Sequence, residues 1–141
     1  MTIEKAFERY KTFLEGLTAE NLQDLAKYVT VDVRFRDPFH NIHGLSKMQN
    51  IFRKLFDKVT DIEFTVTEFA TSGRIVFFNW KLDGMLFNRP WGVEGVTRIT
   101  FDEEDKVSHH FEYWDAASQL YEYVPIIGWM VRIFRRKISE E

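Results

Sequence analysis

At 141 residues the chain makes one domain rather than two. A chain of this size buries roughly two thirds of the surface its unfolded form exposes, so it needs no disulfide or metal staple. It has no cysteine, which excludes thiol catalysis, Cys-built zinc clusters and a disulfide framework, and fits a cytoplasmic location. Lys and Arg total 19 against 22 Asp and Glu, a net charge of −3, which argues against nucleic-acid binding through bulk charge. Aromatic residues make up 16% of the chain, with 14 Phe and 4 Trp. That is more than an ordinary small core uses, so some of these rings are expected to line a cavity.

In chain order, Ile3, Phe7, Tyr10, Leu14 and Leu17 fall at spacings of three and four and predict a first helix ending at Gly16. Thr18 is a candidate N-cap for a second, short helix carrying Leu22, Leu25, Ala26 and Val29. The period then changes to two: Val31, Val33 and Phe35 alternate with Asp32, Arg34 and Arg36, a half-buried strand closed by Pro38. A loop over 39–44 leads to a third helix, capped by Ser46, whose stripe is Met48, Ile51, Phe52, Leu55, Phe56 and Val59. Strands follow at 62–67, 74–82, 91–101 and 106–114. They are punctuated by Ser72-Gly73, Asp83-Gly84, Asn88-Arg89-Pro90 and the acidic turn 102–105. The tail predicts helix over 116–124, a break at Pro125 and helix again from 126 to about 137.

Helices first and a meander later make an α+β fold. The expectation is a cone: three helices from the first half of the chain packed on a strongly curved antiparallel sheet, with an open mouth suited to a ligand. The whole of 1–141 is expected to be one domain, with 116–141 its C-terminal helical extension. Residues 1–10 carry Glu4, Lys5, Glu8 and Arg9, unlike a signal peptide. No apolar run reaches the roughly 18 residues of a membrane span, so none is expected.

Some residues break these patterns. Alternation from Val31 places Asp37 on the same inward face as Val33 and Phe35. A carboxylate there is costly unless paired, and burial would raise its pKa toward the range of a general base. Alternatively Asp37 turns the chain before Pro38 through its own side chain. In the last strand Ser108, His110, Glu112 and Trp114 share one side, and Val107, His109, Phe111 and Tyr113 the other. If the first side faces the cavity, Glu112 orients the His110 imidazole as an acid–base unit. If the second side is the buried one, both are solvated. Asp115 reads as the cap of the following helix, and Tyr10 as either a core ring or a donor to a ligand oxygen.

His40 and His43 flank the loop after Pro38 and could join Asp37. No HExxH or similar spacing exists, and neither metal nor cofactor is expected. There is no GxSxG nucleophile motif. Residues 126–137 are amphipathic and basic. They would either cover the sheet or pocket mouth with snorkelling Arg stems, or lie on a membrane surface.

Together these features resemble the nuclear transport factor 2-like superfamily, in particular its SnoaL-like and ketosteroid-isomerase-like small proteins, over about residues 3–122. Glu8-Arg9-Tyr10-Lys11 resembles the helix bearing the isomerase's oxyanion tyrosine. Arg36-Asp37-Pro38 resembles the strand end bearing its general base, and 101–114 its last hairpin. The resemblance implies Tyr10 as a hydroxyl donor and Asp37 as a proton shuttle. It also implies a pocket side of the last strand carrying His110, Glu112 and Trp114, with Trp80 facing in beside them. Where the isomerase keeps a protonated acid in its oxyanion hole this chain has Thr97, so steroid isomerisation is not expected.

His110-x-Glu112-x-Trp114-Asp115 also resembles the strand end of the limonene-epoxide-hydrolase branch. The Arg and Asp which that branch needs on a neighbouring strand are replaced here by Asn79 and Lys81. The implied candidates are therefore Asp37, His110, Glu112 and Tyr10 for catalysis, with Trp80, Thr97, Trp114 and His40 for ligand binding. The implied activity is acid–base chemistry of isomerase, cyclase or hydrolase/dehydratase type on a small hydrophobic molecule. The alternatives are non-catalytic binding of such a molecule, or an interaction module. An apolar convex face with Ile75 and Phe77 suggests a homodimer.

Overall fold

The computed structural model describes residues 1–120 and 125–139, the backbone alone over 125–127. Helix α1, Ile3–Glu15, is capped by Thr2, whose side chain accepts from the Lys5 amide at 3.2 Å. It buries Ala6, Phe7, Tyr10, Phe13 and Leu14 on one stripe and ends at Gly16. Thr18 and Asn21 do not start an α-helix. Each side chain accepts from the other's amide, closing a turn, and Leu22–Lys27 continues as a 3₁₀ helix that buries Leu22 and Leu25. Six residues suit that tighter winding, which is used in short pieces.

Strand β1, Val29–Arg36, buries Val33 and Phe35, but Val31 is 82% exposed. The pairing of β1 with the last strand shifts register between Val29 and Arg34, and this turns Val31 to the outside against simple alternation. Residues 41–43, read as loop in the sequence, form β2, Asn41–His43, a hairpin partner of β1. Three residues are too few for an alternation signal. Helix α2, Leu45–Lys58, starts two residues earlier than a Ser46 cap would place it. Gly44 precedes it at φ +117, its amide bonded to the Val33 carbonyl. Glycine reaches that φ readily.

The long strands β3, Thr60–Ser72, β4, Ile75–Leu86, β5, Arg89–Phe101, and β6, Val107–Tyr113, follow as a meander. Gly73, at φ +60, makes the expected turn between β3 and β4. Asp83-Gly84 does not turn. Strand β4 runs through it, because Gly84 lies under β3, where a Cβ would stand 2.7 Å from Val59 Cγ1 and 2.9 Å from the Thr60 carbonyl. The turn falls instead at Phe87-Asn88, both left-handed, the backbone of a two-residue hairpin loop. Asp102 closes the next turn by accepting from the Glu104 and Lys106 amides.

The sheet order is β2-β1-β6-β5-β4-β3. All neighbours are antiparallel except β1 and β6, which run parallel. The sheet is curved and unclosed. Inward residues of β4 and β5, among them Val76, Phe78, Trp80, Val93 and Ile99, meet α1 and α2 in one core. Phe77, on the other parity, is 42% exposed. After β6, Asp115 caps the short α3, Ala116–Gln119, accepting from the Ala117 and Ser118 amides and from the Ser118 hydroxyl. These bonds, the Ser118 ones foremost, hold its carboxyl below the usual carboxylate range. The expected helix over 116–124 runs past residue 120 into 121–124, outside the described residues. Pro125 opens α4, Pro125–Ser139, where proline's fixed φ suits a first turn.

Candidate functional site

Two adjoining cavities occupy the space between the sheet and the helices. The inner one, about 90 Å³, is lined by apolar residues of α1, α2, β3 and β4, with Thr97, His110, Glu112 and Glu15 as its polar groups. The outer one, about 250 Å³, lies between β1, α2 and the ends of β4 to β6. Its wall includes Asp37, Phe39, His40, Trp91 and Trp114, with Lys54 and Lys58 from α2. Phe52, Leu55, Trp80, Leu82 and Glu112 line both. Glu112 is thus the one carboxylate named in both walls, at the seam between them.

The inward side of β6 carries His110 and Glu112. His110 is 2% exposed and stacks on Phe35 at 5.4 Å between ring centroids. Its Nδ1 lies 2.8 Å from the Tyr10 hydroxyl, and its Nε2 lies 3.0 Å from Glu112 Oε1. An ionised carboxylate only accepts, so Nε2 bears a hydrogen and donates to Glu112. In the neutral ring Nδ1 is then an acceptor, and the Tyr10 hydroxyl donates to it. The two bonds leave no ring nitrogen of His110 free for a ligand. The imidazole holds the carboxylate rather than the carboxylate holding the imidazole.

Tyr10 is 1% exposed and lines neither cavity. Burial first, and the nearby Glu112 charge second, push its phenol well above the usual tyrosine range. Thr97, on β5 opposite Glu112, accepts a 2.8 Å hydrogen bond from Trp80 Nε1. That bond fixes the Trp80 ring at the seam between the cavities.

Asp37 has the two features that its sequence position suggests separately. Its Oδ1 accepts from the Phe39 and His40 amides at 2.8 and 2.7 Å, so the side chain makes the turn. The same carboxylate is only 10% exposed, faces the outer cavity and pairs with His40 Nδ1 at 2.9 Å. Trp114 crosses Phe39 and Trp91 edge-on, at 5.6 and 6.5 Å. All eight candidates therefore lie at or beside one cone interior, with Tyr10 one layer behind His110.

Sequence reasoning missed the two lysines and Trp91. Lys54 and Lys58 stand one residue before Leu55 and Val59 of the α2 stripe, so their helical spacing was a usable signal. Trp91 is tied down by donating its ring N–H to the Gln119 carbonyl, a contact across 28 residues that no local pattern records. Among the described residues no group of three or more His, Asp or Glu could hold a metal ion, and no helix is long and apolar enough to cross a membrane.

A curved, unclosed six-stranded sheet wrapped on helices is the cone fold of the nuclear transport factor 2-like class. The sequence matches the SnoaL-like domain over residues 10–110, and the chain belongs to that family. No curated protein matches it. Among solved structures it is similar to a nuclear transport factor 2-like protein of unknown function from Burkholderia pseudomallei. That likeness has TM-score 0.72 and 15% identity over 84% of this chain and 95% of that one. It is similar to a SnoaL-like polyketide cyclase of Agrobacterium tumefaciens, TM-score 0.65, 16% identity, 82% and 92% covered. It is also similar to an LEH-like epoxide hydrolase of M. tuberculosis, TM-score 0.67, 12% identity, 93% and 90% covered. At these identities the likeness is one of fold.

Proposed function

We propose that the chain binds a small hydrophobic molecule in the cone and moves a proton on it with Glu112. The observation that supports this is the relay from Tyr10 through His110 to Glu112, which ends at the seam of two apolar cavities. A carboxylate steadied by an imidazole N–H, and held among rings at 19% exposure, is a suitable general base for an enolisable carbonyl or for a water attacking an epoxide. Protonated, it returns the proton at a neighbouring atom. The reaction is thus of isomerase, cyclase or hydrolase type, the classes to which the cyclase and hydrolase neighbours belong.

Asp37 with His40 forms a second acid–base pair in the outer cavity. Lys54 and Lys58 at its wall favour a ligand with an anionic end, since among the described residues neither forms an ion pair within the chain.

The test is proton exchange from a panel of enolisable hydrophobic ketones in heavy water, and hydrolysis of a panel of epoxides. Binding of an anilinonaphthalene sulfonate dye is followed in parallel. The proposal expects Glu112→Gln to lose turnover while keeping the dye. Turnover unchanged in that variant would sink it. A non-catalytic binding protein is the second reading, favoured by the predominance of Phe, Trp and Leu in both walls. Dye binding with no turnover on any panel member is its signature. The outer face of the sheet, where Val96 pairs with Tyr113 and Phe77 is exposed nearby, supports a homodimer formed sheet to sheet.

A further inference from the structure

Helix α4 carries Arg132, Arg135, Arg136 and Lys137 and no acidic residue. Four of its large apolar side chains point outward: Trp129 is 59% exposed, Met130 60%, Phe134 65% and Ile138 66%, whereas Val131 and Ile133 are half-buried. Met130, Phe134 and Ile138 succeed one another at intervals of four, so they form one stripe along the helix, with Trp129 exposed about 100° to one side of Met130. A helix packed on its own domain has the reverse arrangement, apolar side inward.

Two observations orient it. Gly128 is buried, and Arg135 lies near enough to Asp115 to help hold that carboxyl in its charged form. On a helix these two positions lie away from the apolar stripe. The stripe therefore faces away from the domain, and no described residue covers it.

We propose that α4 is an interfacial helix that seats this chain on an anionic lipid surface. Charge complementarity selects the occupant. Lys137 stands two turns beyond Met130 on nearly the same line, and Arg136 two turns beyond Trp129 on nearly the same line; both are exposed. Buried against a second copy of this chain, these cations would be desolvated in the middle of an apolar contact, where protein interfaces are poor in lysine. At a lipid surface their stems lie along the acyl boundary and their heads reach the phosphates. An exposed tryptophan to one side of the stripe suits the headgroup level. The helix, about 22 Å long at 1.5 Å per residue, is too short to span a bilayer but lies flat readily. This inference does not depend on the chemistry proposed for the cone.

The experiment is co-sedimentation of the full chain with vesicles of phosphatidylcholine containing about one third phosphatidylglycerol, against vesicles of phosphatidylcholine alone. Association with the anionic vesicles is expected. It should weaken with salt as the screening length shrinks from about 10 Å at 0.1 M to about 3 Å at 1 M. The double variants Phe134→Ser/Ile138→Ser and Arg136→Glu/Lys137→Glu should each bind at least about tenfold less. Both should melt like the parent, because the changed side chains are exposed. Failure to bind anionic vesicles, or binding undiminished by the apolar double variant, overturns the proposal. So does self-association in velocity sedimentation that the same variant abolishes without any vesicle binding, which would give the face to a second copy. If one double variant does not fold, the other gives the same readout.

Discussion

The Tyr10 hydroxyl lies 2.8 Å from Nδ1 of His110, joining the first helix to the last strand across 100 residues of sequence. His110 donates to Glu112 from its other nitrogen, which fixes the tautomer, so the tyrosine contact holds the ring in place and through it the position of the carboxylate. Tyr10 is thus a positioning residue. It shapes the site without touching what enters it.

Replacing Tyr10 by Phe keeps the ring and removes only the donor. His110 Nδ1 is then buried without a partner, at a cost of about 1–3 kcal/mol, read from the denaturant midpoint. The Nδ1 chemical shift of His110 should move, because that nitrogen loses its donor. An unchanged shift would show that the tyrosine does not hold the ring.

The raised pKa of Tyr10 makes a prediction about alkali. An unfolded phenol loses its proton near the ordinary value of 10.0, whereas the folded one keeps it. Above that pH the folded state binds more protons than the unfolded state, so stability falls as pH rises. Its contribution is complete below pH 10.0 and is lost as pH climbs toward the folded value. The melting temperature of the parent should therefore drop more steeply above pH 10.0 than that of Tyr10→Phe. In an ultraviolet titration one of the five tyrosines should ionise only with unfolding.

The legible part of the chain was its periodicity. The α1 stripe and the acidic turn at Asp102 follow from spacing and turn chemistry, whereas the inward side of β4, with Trp80, is implied only by the family resemblance. The illegible part was tertiary. Val31 faces out because of a register shift against β6, and Gly84 is a close-packing glycine rather than a turn. Neither cause lies within a few residues of its effect. At the site, the residue types could be read on β6, but not which partner would orient which. That depends on Tyr10, which reaches His110 only when α1 lies across the sheet.

Asp37 separates its two features by substitution. Asn keeps an oxygen for the Phe39 and His40 amides, so Asp37→Asn should fold with near-parental stability. Asp37→Ala should lose about 1–2 kcal/mol, the usual value of such a side-chain cap. If the carboxylate also takes part in turnover, Asp37→Asn should lower it while binding the dye as the parent does. A variant as unstable as the alanine change would place the residue's whole effect in the turn.

Gly95 tests how tightly the seam between the cavities is built. A Cβ there would stand 2.6 Å from Trp80 Cζ2 and 2.8 Å from the Tyr113 carbonyl. The carbonyl belongs to a paired strand and cannot yield easily, so the Trp80 ring must move. Moving it breaks the bond from Trp80 Nε1 to Thr97 and reshapes a wall common to both cavities. Gly95→Ala should therefore cost about 1–3 kcal/mol, the range for overpacking a core, and should alter dye affinity as well. Thr97→Val leaves the same indole donor buried and unpaired without adding bulk, so it should cost a similar amount but change dye affinity less. Gly73→Ala is the contrast. Nothing stands within 4 Å of its Cβ, and its φ of +60 is the only obstacle. It should cost about 1–2 kcal/mol through backbone strain alone and leave the dye bound as before. Equal dye affinity in Gly95→Ala and Gly73→Ala would mean that Trp80 does not shape the pocket.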